Sequence, residues 1–304
     1  MNSRALGKYV LKCPRCGFEV EANPYVMRCP RCGELLDAVL IADRVRINWG
    51  SLRGRGVWRY RDLLPEPGNV VTMGEGSTPL IRLRSYGNAY VKFEGANPTG
   101  SFKDRGMTVG VSLASSIGAR GVIVASTGNT AASAAAYAAK AGLECVVVLP
   151  KGGVAKGKLG QAMLHGAKIV EVPGTFDNAL EYVLETVLSN GHVEDARYYP
   201  LNSINPWRLE GQKTIAFEIV EEVGVPDYVF VPVGNGGNIY AIWKGFRELM
   251  ELGVIDHVPR MIGVQAEGAA PMVRYWRGLG EARVDNPRTV ASAIRIGKPV
   301  NWFR

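Results

Sequence analysis

The sequence has no apolar run near the roughly 18 residues needed to cross a bilayer, which excludes an ordinary helical membrane protein. Its start, MNSRALGKYVLKCPRCG, lacks the apolar core and small-residue cleavage site of a secretory signal, so a cytoplasmic location is expected. Cysteine is scarce, with five in 304 residues, too few for the disulfide framework of a secreted domain. Only three histidines occur, His165, His192 and His257, and none lies in a motif, which leaves a Ser/His/Asp hydrolase little support. Low-complexity tracts are absent. What remains, 47% hydrophobic and 21% charged, excludes disorder and collagen and is enough for two domains around a large core.

The net charge of +8 is local. Residues 1–61 hold ten Arg and two Lys against five acids, while the other 243 residues balance 24 bases against 23 acids. An Arg-rich face can attract RNA or anionic metabolites, yet such faces more often only solvate a surface, and no nucleic-acid partner is expected.

Four of the cysteines form two CxxC pairs, Cys13-Pro-Arg-Cys16-Gly and Cys29-Pro-Arg-Cys32-Gly, separated by twelve residues. Each pair places two thiols on a tight turn whose Gly can adopt positive φ. Four thiolates suit a tetrahedral zinc ion; rubredoxin-like iron and a redox role for either pair are the alternatives. With no open coordination position implied, the metal is expected to be structural and separable from catalysis. Residues 1–41 thus read as a zinc ribbon, a module too small to hold a core of its own. Residues 42–77, rich in Arg, Gly and Pro and carrying two Trp, read as an extended connection packed on the next domain.

From residue 78 the pattern alternates. Apolar runs at 89–93, 121–126, 145–150 (with Cys145), 168–173, 228–233 and 261–266 are separated by helical stretches at 104–117, 130–141, 155–165, 175–190, 207–223 and 238–252. This is an α/β pattern with mainly parallel sheet, because continuous apolar strands fit a sheet covered on both faces. The interval 191–206, containing YYPLNSINP, reads as an ordered loop near a site.

Three turns carry chemistry. In GANPTGSFKDRGM, Asn97-Pro98 and Gly100 build a turn, Ser101 is the expected N-cap and Lys103 falls in the first helical turn. A lysine there meets the positive end of a helix, so its pKa should fall, and a neutral amine can condense with an aldehyde. Ser126-Thr-Gly-Asn-Thr130 follows a strand and opens an Ala-rich helix, a place for an anion such as a carboxylate. Gly234-Asn-Gly-Gly-Asn238 repeats the arrangement, with glycines that let amides wrap a phosphate. Together these point to a phosphorylated aldehyde cofactor.

NPTGSFKDRGM, STGNTAASAAAYAAKAG, NSINPWRLEGQKTIAFEI, PVGNGGNIYAIWKGF and QAEGAAPMV, in this order from about Gly74 onward, closely resemble the threonine synthase family. The resemblance implies a pyridoxal 5'-phosphate enzyme of type II fold, related to tryptophan synthase β: two open, mainly parallel sheet domains in residues 78–304, the smaller one near 100–205, beside the zinc ribbon. It implies that Lys103 bonds covalently to the cofactor with Phe102 preceding it, and that Asn129 meets the ring's phenolic oxygen. Gly234, Asn235, Gly236, Gly237 and Asn238 match the loop for the cofactor phosphate, and Ser126, Thr127 and Thr130 the loop for the substrate carboxylate. Ser203 and Arg208, with Asn235, match positions that receive the phosphate of O-phospho-L-homoserine. The implied reaction, run by a homodimer, converts that substrate and water to L-threonine and phosphate, with Lys103 moving protons at Cα and Cβ. A guanidinium suits a dianionic phosphoryl group because it holds two oxygens at once, so substrate identity rests on Arg208.

The family's pattern continues past the point matching Arg304, through a hydroxyl that meets the pyridine nitrogen. The expectation is therefore a fragment or a shortened homologue that binds the cofactor weakly and has little activity alone. Alternatives are another type II lyase, such as a threonine or serine dehydratase, a catalytically impaired homologue, or a non-catalytic protein whose basic zinc module contacts nucleic acid.

Overall fold

The computed structural model describes residues 6–152, 156–189, 192–193 and 197–299; residue 155 and residue 190 of the expected helices, and positions 300–304, lie outside that set. The chain forms two compact units, Met1–Thr214 and Ile215–Arg304.

The first unit opens with a three-stranded antiparallel sheet of β1 (Tyr9–Lys12), β2 (Glu19–Glu21) and β3 (Asp37–Leu40), in the order β2-β1-β3. Tyr9 and Leu11 of β1 are buried while Lys12 is exposed, the alternation of a sheet with one covered face. Residues 42–77 then run over the following domain. Trp58 donates its indole N–H to Thr108 Oγ1 at 2.7 Å, the Thr108 hydroxyl donates to Val71 O at 2.6 Å, and Val71 N–H donates to Ser112 Oγ at 2.8 Å.

Strands β4 (Leu80–Leu83) and β5 (Ala89–Lys92) form an antiparallel hairpin. Residues 89–93, expected in the parallel sheet, are thus elsewhere. The connection of five residues is too short for a crossover helix and turns back through Gly87 at φ +66°.

The main sheet has the order β11-β6-β7-β8, all parallel, from β6 (Gly121–Ala125), β7 (Glu144–Pro150), β8 (Lys168–Val172) and β11 (Tyr198–Pro200). Helices α1 (Lys103–Ser116), α2 (Asn129–Ala141), α3 (Lys156–Leu164) and α4 (Phe176–Val187) accompany it. Every residue of β6 is buried because both faces are covered: Val122 and Val124 join a core with Met107, Ala131, Ala134 and Tyr137, while Ile123 and Ala125 join one with Ala179 and Val183 of α4. The alanines of α2 leave so little side chain that the helix beds close to the sheet. A short ladder of β9 (Leu188–Ser189) and β10 (His192–Val193) precedes β11.

The helix expected over 207–223 is two: α5 (Trp207–Gln212) and α6 (Thr214–Val223), interrupted at Lys213. In the second unit, β12 (Tyr228–Pro232) and β13 (Arg260–Val264) pair in parallel, and α7 (Gly237–Glu251) and α8 (Pro271–Trp276) follow β12 and β13 respectively. Among the described residues no helix is long and apolar enough to cross a membrane.

Candidate active site and metal centre

The two CxxC turns are built alike. Gly17 N–H donates to Cys13 O at 3.0 Å and Gly33 N–H to Cys29 O at 2.9 Å, with φ of +70° and +73°, a region that favours glycine. Cys13 Sγ lies 3.5 Å from Cys32 Sγ and Cys16 Sγ 3.6 Å from Cys29 Sγ, with all four sulfurs within 4.8 Å of one another. A tetrahedral site with bonds of about 2.3 Å has edges of about 3.8 Å, so this donor set fits one zinc-sized ion and leaves no protein-open position. Cys145 stands apart on β7, where burial pushes its thiol up to about 12.

Lys103 opens α1. The cap position is Phe102 rather than Ser101, because the first turn is tight: Asp104 N–H reaches Ser101 O and Arg105 N–H reaches Phe102 O, each at 3.2 Å. Ser101 Oγ still accepts the Lys103 N–H at 3.3 Å. The Lys103 ammonium sits 4.2 Å from the Phe102 ring centroid. Its neighbour in sequence offers no countercharge. Asp104 is fully buried and turns away, accepting the Thr99 N–H at 2.7 Å, the Thr99 hydroxyl at 2.6 Å and the Ser133 hydroxyl of α2 at 2.5 Å. Burial, and then the positive charge of Arg208, lower Lys103 from the usual 10.5 to about 7. The lowered pKa expected from sequence is present, with burial as its larger cause.

Charge around this turn is arranged in depth. Arg105 is fully buried and forked onto Glu94, with Nε to Oε2 at 2.7 Å and Nη2 to Oε1 at 2.8 Å, and reaches Thr214 Oγ1 at 3.1 Å. Buried Glu75 accepts the Tyr137 hydroxyl at 2.6 Å and the Met73 N–H at 2.9 Å. Sequence reading passed over Glu75, Glu94 and Asp104; a carboxylate in an otherwise ordinary stretch gives no periodic signal.

Ser126, Thr127, Asn129 and Thr130 lie on the turn from β6 into α2. Ser126 Oγ accepts the Gly128 N–H at 3.1 Å, and no side chain caps the first turn of α2. The Asn129 Oδ1 is buried without a hydrogen-bond partner. Asn202 ties this turn to the loop carrying Ser203, which is partly exposed, and Asn205 Oδ1 accepts the Trp207 N–H at 3.0 Å, starting α5. Arg208, the second residue of α5, is buried at 3% exposure; its Nε has no partner, and desolvation lowers it to about 10. Lys103, Phe102, the 126–130 turn, Ser203 and Arg208 all belong to the first unit, in which Arg208 lies near enough to Lys103 for its charge to be felt.

Gly234, Asn235, Gly236, Gly237 and Asn238 form the turn from β12 into α7 in the second unit. Gly236 caps α7 at φ +86°, ψ −19°, which explains a glycine there, and the Asn238 Oδ1 is buried and unpartnered. Gly234 abuts residues 293–296, where a side chain would lie 3.1 Å from Ile296 Cγ1.

The family described as pyridoxal-phosphate dependent enzyme matches residues 71–303. The threonine synthase of Methanocaldococcus jannaschii is 48% identical over 305 residues, 95% of this chain and 74% of that protein. That of Mycobacterium tuberculosis is 51% identical over 251 residues, 80% of this chain and 67% of that protein. Among solved structures, the processed form of threonine deaminase isoform 2 from Solanum lycopersicum superposes with a TM-score of 0.57 at 26% identity, covering 72% of this chain and 62% of that one. Maize serine racemase, at 22% identity, has a TM-score of 0.60 over 74% of this chain and 67% of its own, and speaks to the fold alone.

Proposed function

The chain belongs to the threonine synthases among the pyridoxal-phosphate dependent enzymes, and from that premise we propose that it converts O-phospho-L-homoserine and water to L-threonine and phosphate. The observation that carries the substrate is the buried, part-unpartnered guanidinium of Arg208, whose charge reaches Lys103. A buried cation without a countercharge costs stability unless a ligand anion completes it, and a phosphoryl dianion does so with two oxygens.

The residues fit the cofactor. Lys103, lowered to about 7, has a substantial share of its amine neutral at physiological pH, the Asn129 and Asn238 amides each have a buried oxygen to satisfy, and the glycine turn at 234–238 opens a helix of fifteen residues. Pyridoxal phosphate, when bound, supplies the electron sink that makes the carbon beside the amino group acidic. In this reading Lys103 holds the cofactor and then, as a free amine, takes and returns protons at Cα and Cβ. Asn129 orients the ring, and the amides of residues 234–238 hold the cofactor phosphate. Ser126, Thr127 and Thr130 with the uncapped first turn of α2 receive the carboxylate. Ser203, Arg208 and Asn235 receive the substrate phosphate. The four cysteines bind structural zinc, and homodimeric assembly in the cytoplasm belongs to the same proposal.

The test is phosphate release and threonine formation by the purified protein supplied with O-phospho-L-homoserine. Arg208→Ala should keep the visible absorption of the bound cofactor and lose about 2–4 kcal/mol in kcat/KM. Unchanged use of the phosphorylated substrate by that variant would overturn the assignment. Deamination of threonine without phosphohomoserine turnover would instead favour a dehydratase.

A further inference from the structure

Helix α5 spans only six residues, all buried, and a helix of that length has no stability of its own. It is gripped from two sides. On one, glycines bring it onto α1 backbone to backbone: a methyl group on Gly211 would lie 1.7 Å from Arg105 O, and one on Gly106 2.8 Å from Arg208 O. The methylenes of Arg208 run over Gly110, where a Cβ would be 3.4 Å from Arg208 Cγ. On the other side the wall is the N-terminal four-cysteine module. The fully buried Tyr9 ring meets Trp207 edge-on, with centroids 5.6 Å apart and planes at 81°. Lys213, at the end of α5, donates to Tyr9 Oη at 3.2 Å and is paired with Glu210 at 2.5 Å, both side chains excluded from solvent. The Tyr9 hydroxyl in turn donates to Leu63 O at 2.6 Å. The module is fastened again where the Tyr199 hydroxyl donates to Pro24 O at 3.0 Å.

Trp207, Glu210 and Lys213 recur every three residues and so share the face toward Tyr9; Arg208 and Gly211 share the face toward α1. Tyr9 thus braces the back of the helix whose front carries Arg208. The module's own small sheet is held in shape by the four-sulfur cluster, because Tyr9 lies on β1, which runs directly into the Cys13 turn.

We propose that Tyr9 is a positioning residue for Arg208, and that the metal module therefore sets affinity for the phosphoryl end of the substrate rather than standing apart from catalysis. The proposal rests on the reading of Arg208 given above. With Tyr9 shortened, the buried Glu210–Lys213 pair loses its third member and α5 its outer wall, so the guanidinium loses its fixed aim, while Lys103 on α1 keeps the burial that is the larger cause of its lowered pKa. Affinity should fall and chemistry on bound substrate should not.

The experiment uses the full chain with metal and cofactor bound. Tyr9→Leu should raise the KM for O-phospho-L-homoserine, and the calorimetric Kd for inorganic phosphate, about tenfold, with kcat within about twofold and the cofactor's visible absorption unchanged. Tyr9→Phe, which keeps the ring, should recover most of the loss. In an Arg208→Gln background neither Tyr9 variant should move KM or Kd further, a non-additivity that general destabilisation does not produce. If Arg208→Gln weakens phosphate binding and Tyr9→Leu does not, the proposal is wrong and the reading of Arg208 stands. If Arg208→Gln leaves KM and Kd at their parent values, that reading falls and takes the proposal with it. Should Tyr9→Leu fail to fold, the paired change Glu210→Gln with Lys213→Met removes the same brace from the helix side, and a parent-like KM there overturns the proposal.

Discussion

Asn202 answers both backbone groups of Ala125 with one side chain: its Nδ2 donates to Ala125 O and its Oδ1 accepts the Ala125 N–H, each at 2.9 Å. The amide thereby extends β6 by one step of ladder beyond β11 and locks the 126–130 turn to the segment that carries Ser203 and Arg208. Asn202→Ala leaves a buried N–H and a buried C=O without partners, and should cost about 2–4 kcal/mol in urea unfolding. It should also raise KM for the phosphorylated substrate, because two parts of the proposed site lose their common anchor. Asn202→Asp, which cannot donate to Ala125 O, should be no better. A loss under about 1 kcal/mol would show that water replaces the amide.

Gly211 tests how closely α5 must approach α1. Its Cα hydrogens face the Arg105 carbonyl, and a methyl group there would sit 1.7 Å from that oxygen. The neighbour is backbone and belongs to a buried ion-paired residue, so neither side can yield cheaply. Gly211→Ala should therefore destabilise by about 3 kcal/mol or more despite alanine's better helix propensity. Ala at Gly157, where nothing lies within 4 Å, is the control and should change stability by less than about 1 kcal/mol.

Much of this architecture is legible in the sequence, and the boundary of legibility is physical. The run GVIVA announces a doubly covered strand because both faces need apolar residues, and it is buried throughout. The CxxC pairs announce a four-sulfur site because spacing alone fixes two ligands on each turn. Residues 207–223 read as one helix because their apolar period is continuous; the boundary falls at Lys213, whose backbone stays in the right-handed helical region (φ −59°, ψ −22°), so no local breaker marks it. Residues 80–92 pair as a hairpin because five connecting residues permit nothing else, a constraint visible only once LIRL is read as a strand. Tyr9, Asn202 and Glu75 do their work across 204, 77 and 62 positions of sequence, to Lys213, Ala125 and Tyr137 respectively, and one chain read alone carries no signal at such range.

The metal centre and the lone thiol should separate cleanly in a thiol titration. With zinc bound, Cys13, Cys16, Cys29 and Cys32 are metal ligands, and Cys145 is held as a buried thiol near 12, so a thiolate-specific reagent should find almost nothing in the native protein. Adding a strong chelator should expose four fast thiols and release about one equivalent of zinc, with the fifth reacting only after denaturation. Less than about half an equivalent of zinc, or a count of chelator-released fast thiols that stays at four in Cys13→Ser with Cys16→Ser, would count against the four-cysteine site.

Lys103 offers the sharpest dependence on pH. The neutral amine is the form that captures an aldehyde, and with the amine lowered to about 7 it becomes available as pH rises through that value. Capture of pyridoxal phosphate by the cofactor-free protein, followed by visible absorbance, should accelerate between pH 6 and 8 and then level off, where an ordinary lysine would keep gaining up to its usual 10.5. Lys103→Ala should abolish the capture. The two causes can then be told apart. Burial is the larger and Arg208 the smaller, so Arg208→Gln should move the midpoint upward but leave it well below 10.5. The sign is fixed: removing a neighbouring cation makes protonation easier, so the variant needs more alkaline solution for the same rate. An unchanged midpoint in Arg208→Gln would mean that the guanidinium does not reach Lys103. A midpoint near 10 in the parent protein would mean that the amine is hydrated, and that the enclosure of the α1 turn does not set its chemistry.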